Sequence, residues 1–105
     1  MSVRLPEDYR RYLETDGTDA AVTEGDPGYF QLWHPDEIEE MNRSYGVIEH
    51  TPGYLGFGSD GGGEMLAFDA TGAVFMLPFV GMGPNEAKKI AGSWTEVTGR
   101  ITERR

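Results

Sequence analysis

The chain has 105 residues, no cysteine and a formal charge of -9. That length suits one domain with one modest core, and the absence of thiols excludes both a disulfide framework and cysteine chemistry. So large an acidic excess also argues against a phosphate-binding surface, so no direct nucleic-acid recognition is expected. The charge is unevenly spread: between Tyr12 and Ala87 there are fourteen Asp or Glu residues and one basic residue, Arg43. The opening Met-Ser-Val-Arg-Leu-Pro-Glu lacks the apolar core of a secretory leader, and no apolar run is long enough to span a bilayer. A cytoplasmic chain without membrane contact is therefore expected.

In chain order, Pro6 suits a first helical turn, Glu7 and Asp8 complement its positive dipole end, and Gly17 stops it. The spacing predicts a helix over 6–16 with Leu5, Tyr9, Tyr12 and Leu13 turned inward. Thr18 to Gly28, rich in Thr, Asp, Gly and Pro, reads as an exposed loop. A short strand is predicted over 29–33, followed by a helix over 35–45 with Pro35 in its first turn and Gly46 at its end. Ile38, Met41 and Tyr45 form its expected buried stripe, which leaves Glu37, Glu39 and Glu40 in solvent. Val47 to Gly53 reads as a connector. The two histidines, His34 and His50, have neither metal-ligand spacing nor a cysteine to complete a site.

The most distinctive stretch runs from Tyr54 to Asp69. Leu55, Phe57 and Ser59 alternate along one predicted strand and Glu64, Leu66 and Phe68 along the next, with Asp60-Gly61-Gly62-Gly63-Glu64 as the reversal. A phosphate cradle would open a helix and bring a lysine, whereas this loop enters a strand and is flanked by carboxylates. A calcium loop of the EF-hand kind would need ligands at alternating positions over a longer span. The expected reading is an open, mobile reversal whose backbone a partner can approach. Asp69-Ala70-Thr71-Gly72 is the next turn, and the apolar run 73–77 completes a meander over 54–78. Asn85 is placed to cap a last helix over 85–101, where Ala87, Ile90, Ala91, Trp94, Val97 and Ile101 keep helical spacing. Trp94 is its expected anchor in the core, and Thr102 to Arg105 is expected to fray. The whole, residues 1–105, is thus an α+β domain with a central antiparallel sheet packed by helices.

The segments LPEDYRRYLETDG, LWHPDEIEEMN, LGFGSDGGGEMLAFD, GAVFMLP and AGSWTEV together resemble the SUKH superfamily, which includes fungal cell-wall synthesis regulators and many bacterial immunity proteins. The phrase GSDGGGE before an apolar strand is the most specific part. The resemblance implies an α+β binding domain without catalysis, whose bacterial members bind and neutralise secreted polymorphic toxins, often nucleases or deaminases. Members commonly carry a helix before the Leu-Pro motif, whereas four residues precede Leu5 here, and Thr18 stands where a second glycine is usual.

Three functions follow for testing: an immunity-type inhibitor of a basic toxin domain, a regulatory or scaffolding module with another protein partner, and a hydrolase using Asp60, Glu64 or Asp69. For the first two, Glu37, Glu40, Asp60, Gly61, Gly62, Gly63 and Glu64 are the candidate binding residues, and the chain is expected to be a monomer or weak homodimer. No catalytic group, metal or cofactor is expected.

Overall fold

Apolar alternation and tight turns give seven short strands, and these join into one antiparallel sheet. The computed structural model describes residues 3–105. Among them α1 (Glu7–Thr15) precedes β1 (Ala20–Thr23) and β2 (Tyr29–Leu32), and a 3-10 turn at Pro35–Glu37 leads into α2 (Ile38–Tyr45) and α3 (Val47–His50). The meander β3 (Tyr54–Ser59), β4 (Glu64–Asp69) and β5 (Val74–Pro78) follows. A second 3-10 turn at Pro84–Glu86, β6 (Lys88–Ala91), α4 (Trp94–Thr98) and β7 (Ile101–Arg104) complete the chain. The strand order is β6-β5-β4-β3-β2-β1-β7. The fold is α+β, with the meander at 54–78 and the strand at 29–32 where the sequence places them.

Strand alternation sorts the core onto two faces. On one, Phe57, Leu66, Phe68 and Val74 meet Tyr9 and Tyr12 of α1 and Trp94 and Val97 of α4. On the other, Met65, Ala67 and Leu77 meet Val47 of α3, with Trp33, Tyr54, Phe79 and Met82 at the margin. The near-continuous apolar run of β5 is explained by this double coverage, since Val74 and Met76 serve the first face and Leu77 the second.

The sheet is curled. Six spacings of about 4.8 Å would set the edge strands of a flat sheet about 29 Å apart. The connection from Ala91 to Ile101, helical over Trp94–Thr98, reaches only about 26 Å when fully stretched. Lys88 of β6 accordingly pairs with Asp26 of the β1–β2 turn at 3.2 Å, and Arg100 Nη1 donates to the Asp26 carbonyl at 2.8 Å. The two edges approach each other around Trp94.

Several expectations are corrected. The helix predicted over 85–101 is instead a 3-10 turn, strand β6, the short α4 and the start of β7. Its apolar spacing fits a helix, but Gly92-Ser93 interrupts it. Ser93 Oγ accepts from the Glu96 N–H at 3.2 Å and Glu96 Oε1 from the Gly92 N–H at 3.0 Å, a start signal for a helix at Trp94 and not at Asn85. Thr102 to Arg104 do not fray but pair with β1, with Ala21 opposite Arg104. The loop expected over 18–28 contains β1, held between β2 and β7, with Ala21 fully buried. Pairing on both sides there outweighs the weak strand preference of Ala-Ala-Val-Thr. The connector 47–53 contains α3, and the second helix begins as a 3-10 turn before Ile38.

Candidate functional site

Helix α2 is fixed to the sheet by one polar side chain. Asn42 is buried, accepts from Gly56 N–H at 2.7 Å and donates to Gly56 C=O at 2.8 Å and Ile38 C=O at 2.7 Å. It meets the backbone where the β3–β4 register shifts between Gly56 and Gly58. The buried positions of α2 are therefore Ile38 and Asn42, one turn apart, in place of the expected Ile38, Met41 and Tyr45. A polar Asn42 escapes an apolar stripe, although its spacing from Ile38 fits an inward face.

Tyr45 instead stands at the surface, 41% exposed, between two other rings. It stacks on Trp33 at 5.9 Å and lies against Phe79 at 4.8 Å. Phe79 donates its backbone N–H to the Gly63 carbonyl at 3.0 Å, so the aromatic row leads directly to the glycine loop. Beyond Phe79, Val80 is 91% exposed.

The loop is more firmly held than an open reversal would be. Asp60 Oδ1 accepts from Gly62 N–H at 2.8 Å and from Glu64 N–H at 3.3 Å, while Asp60 N–H donates to Glu64 C=O at 3.1 Å. Asp69 does the same at the next turn, accepting from the N–H groups of Thr71 and Ala73. Both aspartates thereby shape turns, the usual work of a short carboxylate beside glycine. Of the three glycines only Gly61 has a positive φ, +82°, and a Cβ there would lie 2.9 Å from the Tyr29 ring. Gly62 and Gly63 are exposed, and a Cβ on Gly63 would meet nothing within 4 Å.

Glu37 and Glu40 are exposed on the outer side of the Pro35–Tyr45 segment. Glu37 borders a cleft with Leu13, Asp19 and His34, and Tyr45 is eight residues, about 12 Å of helix, further on. The glycine loop therefore adjoins the C-terminal end of α2 through Tyr45 and Phe79, while the two glutamates stand toward its N-terminal end. Of the neighbouring charges, Arg43 pairs with Glu39 at 3.3 Å and His34 with Asp36 at 3.6 Å. Neither Glu37 nor Glu40 has an ion-pair partner among the described residues.

His34 serves as a cap, its Nδ1 accepting from Asp36 N–H at 3.2 Å. Among the described residues no group of three or more His, Asp or Glu side chains is placed to hold a metal, and no helix is long and apolar enough to cross a membrane.

Residues 1–99 match the SMI1 / KNR4 family (SUKH-1). The chain belongs to this family. The match covers every element of the SUKH-1 domain except β7, whose pairing with β1 closes the sheet beyond it. No curated protein matches the chain. The aspartates of the GSDGGGE phrase and of the following turn thus have a structural task in this SUKH-1 domain, and the adjoining aromatic row is the feature that strand and helix periodicity left unseen.

Proposed function

We propose that this SUKH-1 domain is a non-catalytic, cytoplasmic protein-binding module of the immunity type, which binds a basic bacterial toxin domain of nuclease or deaminase kind and blocks it stoichiometrically. The observation that carries the reading is the pair of exposed carboxylates, Glu37 and Glu40, without ion-pair partners among the described residues, on a segment that also presents the Tyr45 ring. Exposed carboxylates steer a cationic partner, and exposed Tyr and Trp rings are the side chains that most often dominate an interface. Asp60 to Glu64 supply backbone that a partner can approach, with Gly62 and Gly63 as its open points. The carboxylates of Asp60 and Asp69 are occupied in their turns, which disfavours the hydrolase reading.

The test is binding to the protein encoded beside this one, followed by surface kinetics at two salt concentrations. Glu37→Lys with Glu40→Lys is expected to slow association and flatten its salt dependence, and Gly62→Leu to speed dissociation, with circular dichroism unchanged. Unaltered rates for both variants would place the interface elsewhere. A non-toxic partner bound with the same dependence would favour the regulatory or scaffolding reading.

A further inference from the structure

We propose that the groove between the entering chain and helices α2 and α3 is an anchor pocket that takes an aliphatic side chain borne on a Lys- or Arg-rich segment of the partner. This rests on the protein-binding reading above. Val3, Leu5, Ile38, Ile48 and Leu55 give the groove, about 660 Å³ in volume, its apolar lining. A four-residue helix needs little to hold it, and in α3 the fully buried Val47 does so. Ile48, next along, is left 76% exposed on the groove wall. A β-branched aliphatic side chain spent on solvent beside a concave apolar surface is the form an unoccupied anchor site takes.

Charge selects the occupant. Glu39, Arg43 and Glu49 stand around the groove, and Arg43 is neutralised by Glu39 at 3.3 Å, which leaves Glu49 without an ion-pair partner among the described residues. Over Pro35 to His50 the chain carries five carboxylates against the single guanidinium of Arg43. A second copy of this chain would set that acidic segment against its like, whereas a cationic segment complements it. Arg4, exposed between the lining residues Val3 and Leu5, is the one cation next to them in sequence that such a partner must also accommodate.

The probe is an end-blocked hexapeptide, Arg-Lys-Leu-Leu-Lys-Arg, against its counterpart with Ser-Ser at the centre, each titrated into the isotope-labelled full chain and followed by amide shifts. The leucine peptide is expected to move Leu5, Ile38, Ile48 and Leu55 and to bind about tenfold tighter, as partial burial of leucine surface implies. In Ile48→Ser the two peptides are expected to become nearly equal, and Glu49→Gln is expected to weaken both. Equal binding to the parent chain, shifts centred on Tyr45 and Phe79, or no saturation at millimolar peptide would overturn the proposal. Those results leave partner binding through Glu37 and Glu40 standing. Conversely, anchor binding by the peptide with no binding of the neighbouring gene product would sink the immunity reading and keep the groove.

Discussion

Trp94 is 1% exposed and packs edge-on against Tyr9, Tyr12, Phe30 and Phe57, with ring centroids 5.1 to 5.5 Å away. Because α1, β2 and β3 all lean on this one indole, little can collapse into the space it fills. Trp94→Ala is therefore expected to cost about 3 to 5 kcal/mol in a denaturant melt, against a total of about 5 to 15 kcal/mol for a domain of this size. Tyr9 offers a contrast inside the same cluster. Its ring is fully buried, its hydroxyl has no hydrogen-bond partner among the described residues, and burial first, then the neighbouring Tyr12, pushes the phenol pKa up. An unpaired buried hydroxyl contributes nothing to offset its lost hydration, so Tyr9→Phe is expected to leave the melt unchanged or raise stability by about 1 kcal/mol. A clear loss would mean that the hydroxyl is satisfied after all. Asn42 is the opposite kind of polar group, with donor and acceptor both engaged. Asn42→Ala strands the buried N–H and C=O of Gly56 and is expected to cost about 2 to 3 kcal/mol. Hydrogen exchange should then quicken first in α2 and β3.

At the scale of elements, the β3–β4 hairpin separates glycines that are required from glycines that are merely present. A Cβ on Gly58 would lie 2.6 Å from the Gln31 carbonyl oxygen, backbone that cannot move without parting β2 from β3. Gly58→Ala is expected to cost about 1 to 3 kcal/mol, while Gly63→Ala, in open space, stays within about 0.5 kcal/mol. Thermal melts of the two single variants distinguish these outcomes. The same hairpin was legible in the sequence because alternation at Leu55, Phe57, Leu66 and Phe68 and the turn residues at Asp60 and Asp69 agreed with each other. The C-terminal third was not, since Ile90, Trp94, Val97 and Ile101 suit a helix by spacing and suit β6, α4 and β7 only once long-range partners are known. The candidate site divides likewise. Exposure of Glu37 and Glu40 followed from periodicity, but the meeting of Tyr45, Trp33 and Phe79 depends on how α2 lies across the sheet, which no local pattern encodes.

For the whole molecule, the link between the first helix and the last strand is electrostatic as well as hydrogen-bonded. Asp16, just past α1, receives Arg104 of β7 through Nε at 3.0 Å and Nη2 at 2.8 Å, and also the Thr18 hydroxyl. The Arg104 hydrogen bond first, then that of Thr18, holds the Asp16 carboxyl down from 3.8 to about 2. A carboxyl whose folded pKa lies below its unfolded one contributes stability that is fully present above the unfolded value and lost as pH falls through the folded one. The contribution of this pair is thus expected to fade between about pH 4 and pH 2. Urea midpoints of the parent chain and Asp16→Asn should converge across that window, and a difference that persists at the acid end would refute the assignment.

The strand order has a further consequence, in the time course of synthesis. β1 is flanked by β2 and by β7, so a strand at Ala20–Thr23 waits for one at Ile101–Arg104, and the principal core closes around Trp94. Before those later residues have left the ribosome, Tyr9, Phe30, Phe57 and Phe68 lack the helix that seals their cluster. Closure of this domain therefore waits on residues 94–104, and until they emerge its aromatic face is what a chaperone meets.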